Sequence, residues 1–283
     1  MRSFRVDEPQ RAGGRAPRRA RLTIAAALLC AAAFAAPAVA QARDLVVLGE
    51  PTLEKALKSV GALWQARTGT RVNVFVAPTD LSYAQIDRGA RCDVIFALAG
   101  AATEAAARND IIHATTVARV LRNGLVLVGT GESRASDKDA SPAELVRLIA
   151  GKRLAIADPD RDVAGAYAAD LLRKSGIVVG DRNQAAAVAE STAGVLNMLA
   201  TGKARLGLVY ATDAMAPFQI VARLAVPDRP PIDYVAAQAR DPASDTQPFL
   251  AFLKSAEARA AFKSAGLTPI EADNGAAEAG RQK

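Results

Sequence analysis

Asp158, Pro159, Ala164, Gly165 and Tyr167 fall together where an apolar stretch gives way to helical sequence, and further on Leu206-Gly207-Leu208-Val209-Tyr210 leads into Thr212-Asp213-Ala214. A strand that ends in Asp-Pro cannot extend its ladder, because proline has no amide hydrogen to donate. The small Ala-Gly pair then lets a ligand come close to the backbone where the helix begins. Free amides and the helix dipole at such a start favour an anion. Three threonines hold comparable places: Thr52 after the first apolar strand, Thr79 after the next, and Thr192 before Ala193. Each could cap its own helix, or offer a hydroxyl to a ligand at the carboxyl ends of the strands, where open α/β sheets bind.

Enzyme chemistry finds little to build on. His113 is the one histidine and has no second histidine or nearby cysteine for a metal, and no visible serine partner, so it reads as a surface or packing residue. Cys92 stands just before an apolar strand and reads as a small buried hydrophobe. The lone Trp64 lies on the apolar face of a helix and reads as core. Neither a glycine-rich phosphate loop nor a zincin pattern is present. The chain is therefore expected to be no enzyme, with no cofactor and no metal ion ligated directly by protein.

The elements that must position the anion-friendly helix starts alternate along the chain. Strands are expected at residues 45–48, 72–76, 94–97, 125–128, 154–157, 206–209, 221–226 and 234–237. Helices are expected from residue 53 to the stop at Gly69, at 81–87, after Thr103, and at 143–150, 164–175, 193–200 and 248–265. Strand and helix in turn predict an α/β fold whose sheets carry parallel strands covered by helices. The middle section repeats this plan with its own elements, which predicts a second lobe. Residues 41–124 and 218–270 are assigned to lobe 1 and residues 125–217 to lobe 2, with crossings near Asn123 and near Pro217. The polar tail at 271–283 is expected to be disordered.

The first forty residues read as an export leader. Seven arginines precede or enter an apolar run at residues 22–36, too short to span a bilayer comfortably, and Ala38-Val39-Ala40 before Gln41 gives a small-residue cleavage pattern. Cleavage is expected after Ala40, with a periplasmic product; Arg18-Arg19 leaves the twin-arginine and general secretory routes both open. That segment holds seven of the 36 basic residues and two of the 29 acidic ones, so the remainder is close to neutral and gives no reason to expect nucleic acid. Only Cys92 follows the leader, so no intramolecular disulfide can staple the fold.

Gln85-Ile86 with Gly89-Ala90 and Asp93-Val94, the 125–128 strand, Asp158-Pro159 with Ala164-Gly165 and Tyr167, and Gly207-Leu208-Val209-Tyr210 with Asp213-Ala214 follow in an order and spacing that resembles the molybdate-binding proteins of bacterial ABC importers. The resemblance runs from about Asp44 to Leu267. It implies a type II periplasmic binding protein: two α/β lobes, each a mostly parallel sheet flanked by helices, with the ligand cleft between them. It also implies a tetrahedral oxyanion, molybdate or tungstate, held by neutral donors, with Thr52 and Thr79 in the places of two serine hydroxyls, amides from Ala164 and Thr192, and the phenol of Tyr210. A proton-free dianion can only accept hydrogen bonds, so such donors suit it. The implied partners are an ABC permease and its ATPase, and the protein is expected to be monomeric.

The first-lobe turns depart from the family pattern. Gly49-Glu50-Pro51-Thr52 and Ala77-Pro78-Thr79-Asp80 each contain a proline, which removes an amide donor, and an acid. Glu50 and Asp80 are expected to face solvent beside their helix starts. Two alternatives stay open: the same fold could bind a protonated oxyanion such as phosphate or a small organic acid, with Arg161 available to pair a carboxylate, or it could serve as a ligand-sensing adaptor without transport.

Overall fold

A continuous apolar run bounded by polar residues makes a strand buried on both faces, and β1 (Leu45–Gly49) is buried at all five positions. The computed structural model describes residues 43–130, 139–177, 186–226 and 229–271. The expected leader at residues 1–40, and all of the expected tail except Glu271, lie outside the described residues. After a helical turn at Pro51–Leu53, α1 (Glu54–Thr68) buries Ala56, Leu57, Val60, Gly61 and Trp64, the spacing of one helix face. Gly69 ends it at a φ of 80°, the left-handed conformation that closes a helix. β2 (Val72–Val76), α2 (Thr79–Asp87), β3 (Val94–Leu98) and α3 (Ala101–Arg108) follow. β2 and β3 flank β1 and run parallel to it.

The chain leaves this sheet at β4 (Ala118–Asn123) and passes through Gly124 directly into β5 (Leu125–Gly129) of a second sheet. There β6 (Asp139–Ala140), α4 (Pro142–Ile149), β7 (Leu154–Ala157), α5 (Val163–Lys174), β8 (Ala186–Ala189), α6 (Thr192–Ala200), β9 (Leu206–Tyr210) and β10 (Gln219–Leu224) succeed one another. β11 (Ile232–Gln238), α7 (Thr246–Phe252), α8 (Ala256–Ser264) and β12 (Thr268–Pro269) return to the first sheet. The strand orders are β12-β4-β11-β3-β1-β2 and β6-β10-β5-β9-β7-β8.

One expectation needs correction. β10 pairs antiparallel with β5, from Gln219 opposite Gly129 to Leu224 opposite Leu125, so it belongs to the second sheet. The return crossing therefore lies between Leu224 and Ile232, not near Pro217, and residues 219–224 go with lobe 2. Local pattern marks a strand, whereas its sheet is decided by which partner it meets. Both sheets are also mixed: β1, β2 and β3 are parallel, and so are β7, β8 and β9, but β11 runs against β3 and β4, and β5 against β9 and β10. β5 and β11, which enter from the other lobe, are the long strands that run against the rest of their sheets. The helical stretch at 248–265 divides in two, with Ser255 capping α8 through the Ala258 amide. β4 and β8 escaped the pattern search. β4 places arginines among its apolar residues, and β8 is mostly alanine, which has little strand preference.

The buried core is continuous through the crossing, from Leu45, Val60 and Trp64 through Leu121 and Leu125 to Leu154 and Leu172. Trp64 packs edge-on to Phe249 with ring centroids 5.6 Å apart, and tilted on Phe252 at 5.4 Å, so it is core as expected.

Asp93, fully buried, joins three segments of lobe 1. Its carboxylate accepts the Val46 and Ala243 amides, each at 2.7 Å, while Arg43 and Arg91 approach it at 3.3 Å. Asp93→Ala would strand two amides without an acceptor. A loss of about 2–4 kcal/mol is expected, measured as a lower urea midpoint with an unchanged slope.

Candidate functional site

The ends of β1, β2, β7 and β9 and the starts of α2, α5 and α6 carry the expected site residues. Thr52 sits in the turn after β1, and its hydroxyl lies 2.8 Å from the Tyr234 hydroxyl on β11. Tyr234 is almost fully buried. Asn123 Nδ2, at the crossing, donates to Tyr234 at 3.4 Å and to Thr212 Oγ1, beyond β9, at 3.1 Å. Thr52, Tyr234, Asn123 and Thr212 thus form a polar chain from lobe 1 across the hinge into lobe 2.

Thr79 opens α2, where Pro78 supplies no side-chain cap. The carboxylate of Glu50 takes that part instead: Oε1 accepts the Thr79 amide at 2.6 Å and also the Thr79 hydroxyl. Thr79 Oγ1 in turn accepts the Leu98 amide at 2.9 Å. Glu50 therefore turns inward, contrary to expectation, because two donors await it at a helix start. Asp80, one residue further along, is exposed as expected.

In lobe 2 the N-cap of α5 is Asp162. Its carboxylate accepts the Ala164 amide at 2.8 Å and the Gly165 amide at 3.3 Å, and its second oxygen accepts the Thr192 amide at 3.4 Å. The two amides expected to serve a ligand, those of Ala164 and Thr192, thus converge on one point. Ser191, not Thr192, caps α6, through the Gly194 amide at 3.3 Å. Tyr210, at the end of β9, is 8% exposed. None of Thr52, Thr79 and Thr192 caps a helix with its side chain.

Gly165 has a different duty from the one its type suggested. A Cβ there would meet the Ala157 carbonyl oxygen at 2.5 Å and that of Asp158 at 2.7 Å. The glycine makes room for the chain's own strand end, which brings the first turn of α5, and so the Ala164 amide, onto β7.

The electrostatics are acidic. Burial raises the pKa of Glu50, opposed by its bonds from the Thr79 hydroxyl and amide, and the charge of Asp80 adds to the rise. Burial likewise raises Asp213, which the Thr192 hydroxyl opposes and the charge of Asp162 reinforces. Burial, then the charge of Asp162, then Tyr234 keep the Tyr210 phenol protonated far above neutrality. One Asp213 oxygen is buried without a hydrogen-bond partner among the described residues. Among the described residues, no lysine or arginine figures in the shifts of Glu50, Tyr210, Asp213 or Tyr234. Arg161 is exposed and faces Asp158 at 3.8 Å. The cavity of about 440 Å³ beside the hinge, lined by Arg122, Tyr167, Arg223 and Arg229 among others, contains none of the five expected site residues.

Hydrogen bonds thus tie Thr52 to Tyr234, Thr79 to Glu50, and the Ala164 and Thr192 amides to Asp162, and they bring in partners the sequence did not reveal in this role: Asp162, Tyr234 and Asn123. Asp162 stood just before a helix and was open to discovery as a cap. Tyr234 and Asn123 had no local signal, since only the pairing of β11 with β4 brings them together. Hydroxyls, phenols and helix-start amides can grip an oxygen-rich anion, and the adjacent carboxylates can accept protons. Among the described residues no three His, Cys, Asp or Glu side chains gather as a metal site. Burial pushes the Cys92 thiol up to about 12, so it is a packing residue and not a nucleophile. The His113 ring lies 3.1 Å from the Arg240 carbonyl oxygen.

The profile of the family described as bacterial extracellular solute-binding protein matches residues 45–268. The molybdate-binding protein ModA of Escherichia coli K12 is 28% identical over 240 residues, which span 83% of this chain and 93% of that protein. The periplasmic molybdate-binding protein of Azotobacter vinelandii superposes with a TM-score of 0.61 at 20% identity, over 81% of this chain and 100% of that one. The tungstate-binding protein TupA of Desulfovibrio alaskensis G20 gives a TM-score of 0.58 at 14% identity, over 82% and 100% of the two chains. These structural likenesses bear out the two-sheet α/β fold.

Gly165→Ala would push α5 off the end of β7, because the obstructing atoms are backbone. The expected result is a loss of about 1–3 kcal/mol, read as a lower melting temperature in a thermal scan of the unliganded protein.

Proposed function

The chain belongs to the bacterial extracellular solute-binding protein family, and on that premise we propose that it captures a tetrahedral oxyanion, molybdate or tungstate, between its two lobes for an ABC importer. The observation that supports this reading is that both lobes carry hydrogen-bond donors at strand ends and helix starts, Thr52 and Thr79 in the first and the Ala164 and Thr192 amides with the Tyr210 phenol in the second. Helix starts add favourable potential for an anion without a balancing lysine or arginine. Charge-assisted hydrogen bonds of about 1.5–3 kcal/mol each offset the loss of the ion's hydration. Names of similar proteins supply the ligand class, molybdate for ModA and tungstate for TupA.

Ligand contacts from both lobes stabilise the closed arrangement over the open one, and this difference is what a membrane partner can sense. The partner in this reading is an ABC permease with its ATPase. The protein acts as a monomer in the periplasm, released from its leader after Ala40. Gly124, between β4 and β5, is one connection about which the lobes move in this reading.

Saturating molybdate or tungstate, at about a hundred times its dissociation constant, should stabilise the protein by about 2.7 kcal/mol. That is a rise of roughly 5–10 °C in melting temperature. The double variant Thr52→Ala, Tyr210→Phe removes one hydroxyl from each lobe and should lose most of this shift while remaining folded. No shift with either anion from about pH 6 to about pH 8 would refute the assignment.

A further inference from the structure

The donors that would hold an oxyanion are already held by carboxylates of the chain itself. Glu50 bonds both the amide and the hydroxyl of Thr79, and Asp162 bonds the amides of Ala164, Gly165 and Thr192. A carboxylate oxygen on an amide is the same kind of acceptor as an oxyanion oxygen, so each carboxylate occupies the place of a ligand oxygen. Asp162 does so as an ordinary N-cap of its own helix. Glu50 does not: it reaches over 29 residues to a helix whose own N-cap, Pro78, offers no side chain.

An arriving dianion must share this space with ionised Glu50. Two like unit charges about 4 Å apart, at an effective dielectric constant near 20, weaken association by about a thousandfold, and a dianion is repelled more strongly still. One charge-assisted hydrogen bond returns only about ten- to a hundredfold. Repulsion wins unless the carboxylate leaves or is neutralised. A neutral Glu50 can keep its carbonyl oxygen on Thr79 and turn its O–H to the ligand, which converts a competitor into a donor.

We propose that Glu50 is a specificity-determining residue of this cleft: a fully deprotonated oxyanion is taken together with one proton, held on Glu50, while an oxyanion with its own O–H donates that hydrogen to the Glu50 carboxylate. In either case one hydrogen lies between Glu50 and the bound anion. The proposal rests on the oxyanion reading of the preceding subsection.

The surroundings of Glu50 favour its neutral form. Facing it are Asp80 and Tyr83 on α2 and Tyr234 on β11, all acids or phenols. Burial already places its pKa above the ordinary glutamate value, and a nearby anion moves it further the same way. Between the free and bound pKa values, binding takes up a proton, and affinity falls as pH rises through that window. A residue that merely caps α2 would show no such linkage to ligand.

Titration calorimetry of the leader-free protein with molybdate, between about pH 5.5 and about pH 8 in buffers of different ionisation heat, reads both affinity and proton uptake. Wild type should take up close to one proton per molybdate within the window. Its affinity should fall by up to about tenfold per pH unit. Glu50→Gln should bind molybdate more tightly than wild type at the upper end of the range, with a flatter pH profile and no proton uptake. Wild-type binding without proton uptake, or a Glu50→Gln profile that repeats the wild type, would overturn the role of Glu50 and leave the oxyanion reading standing. Folded wild type and variant that bind neither molybdate nor tungstate at any pH would overturn both. If Glu50→Gln unfolds, the wild-type proton count alone decides.

Discussion

Backbone amides at the starts of α2, α5 and α6 have no acceptor within their own helices, and a buried amide requires one. That requirement organises the site. Each of these helices follows a strand of a parallel set, and its first amides have no partner within the helix. Two β-α units per lobe therefore deliver a cluster of donors without any cationic side chain. Gly165 sharpens the arrangement by letting α5 settle directly on the carbonyls at the end of β7.

What satisfies these amides decides the character of the cleft. Glu50 and Asp162 supply the acceptors, and Asp213 adds a third carboxylate with one oxygen unpartnered among the described residues. Donors suited to an anion and acids that repel one are thus direct neighbours, Thr79 with Glu50 and the Ala164 and Thr192 amides with Asp162. The conflict resolves if hydrogens are shared: a carboxylate that becomes neutral is a donor, and one that stays charged accepts from the ligand. Burial works toward the neutral state at Glu50 and Asp213, and the phenols of Tyr210 and Tyr234 hold their hydrogens throughout.

The alternating elements were legible because apolar runs and helix faces have distinct periods, as in β1 and α1. So were the helix starts at Thr79 and Ala164, which follow directly from strand ends. The positions of β10 and β11 were less accessible, since a strand's own residues do not name its neighbour. For the same reason Tyr234 and Asn123 stayed hidden until β11 was paired with β4. Glu50 was visible as a departure, yet its direction was not: its contact with Thr79 depends on how the turn after β1 meets the turn after β2. Asp162 obeyed a local capping rule and could have been found from sequence. Its second contact, to Thr192, is tertiary and could not.

A crystal structure of the protein grown with molybdate tests the shared-hydrogen cleft most directly. The expected result is tetrahedral density between the starts of α2, α5 and α6, bonded by Thr52 and Tyr210, with a Glu50 oxygen within about 3 Å of an oxygen of the anion. Density seated instead in the hinge cavity beside Arg122 and Arg229, with the Glu50 and Thr79 contact undisturbed, would contradict it.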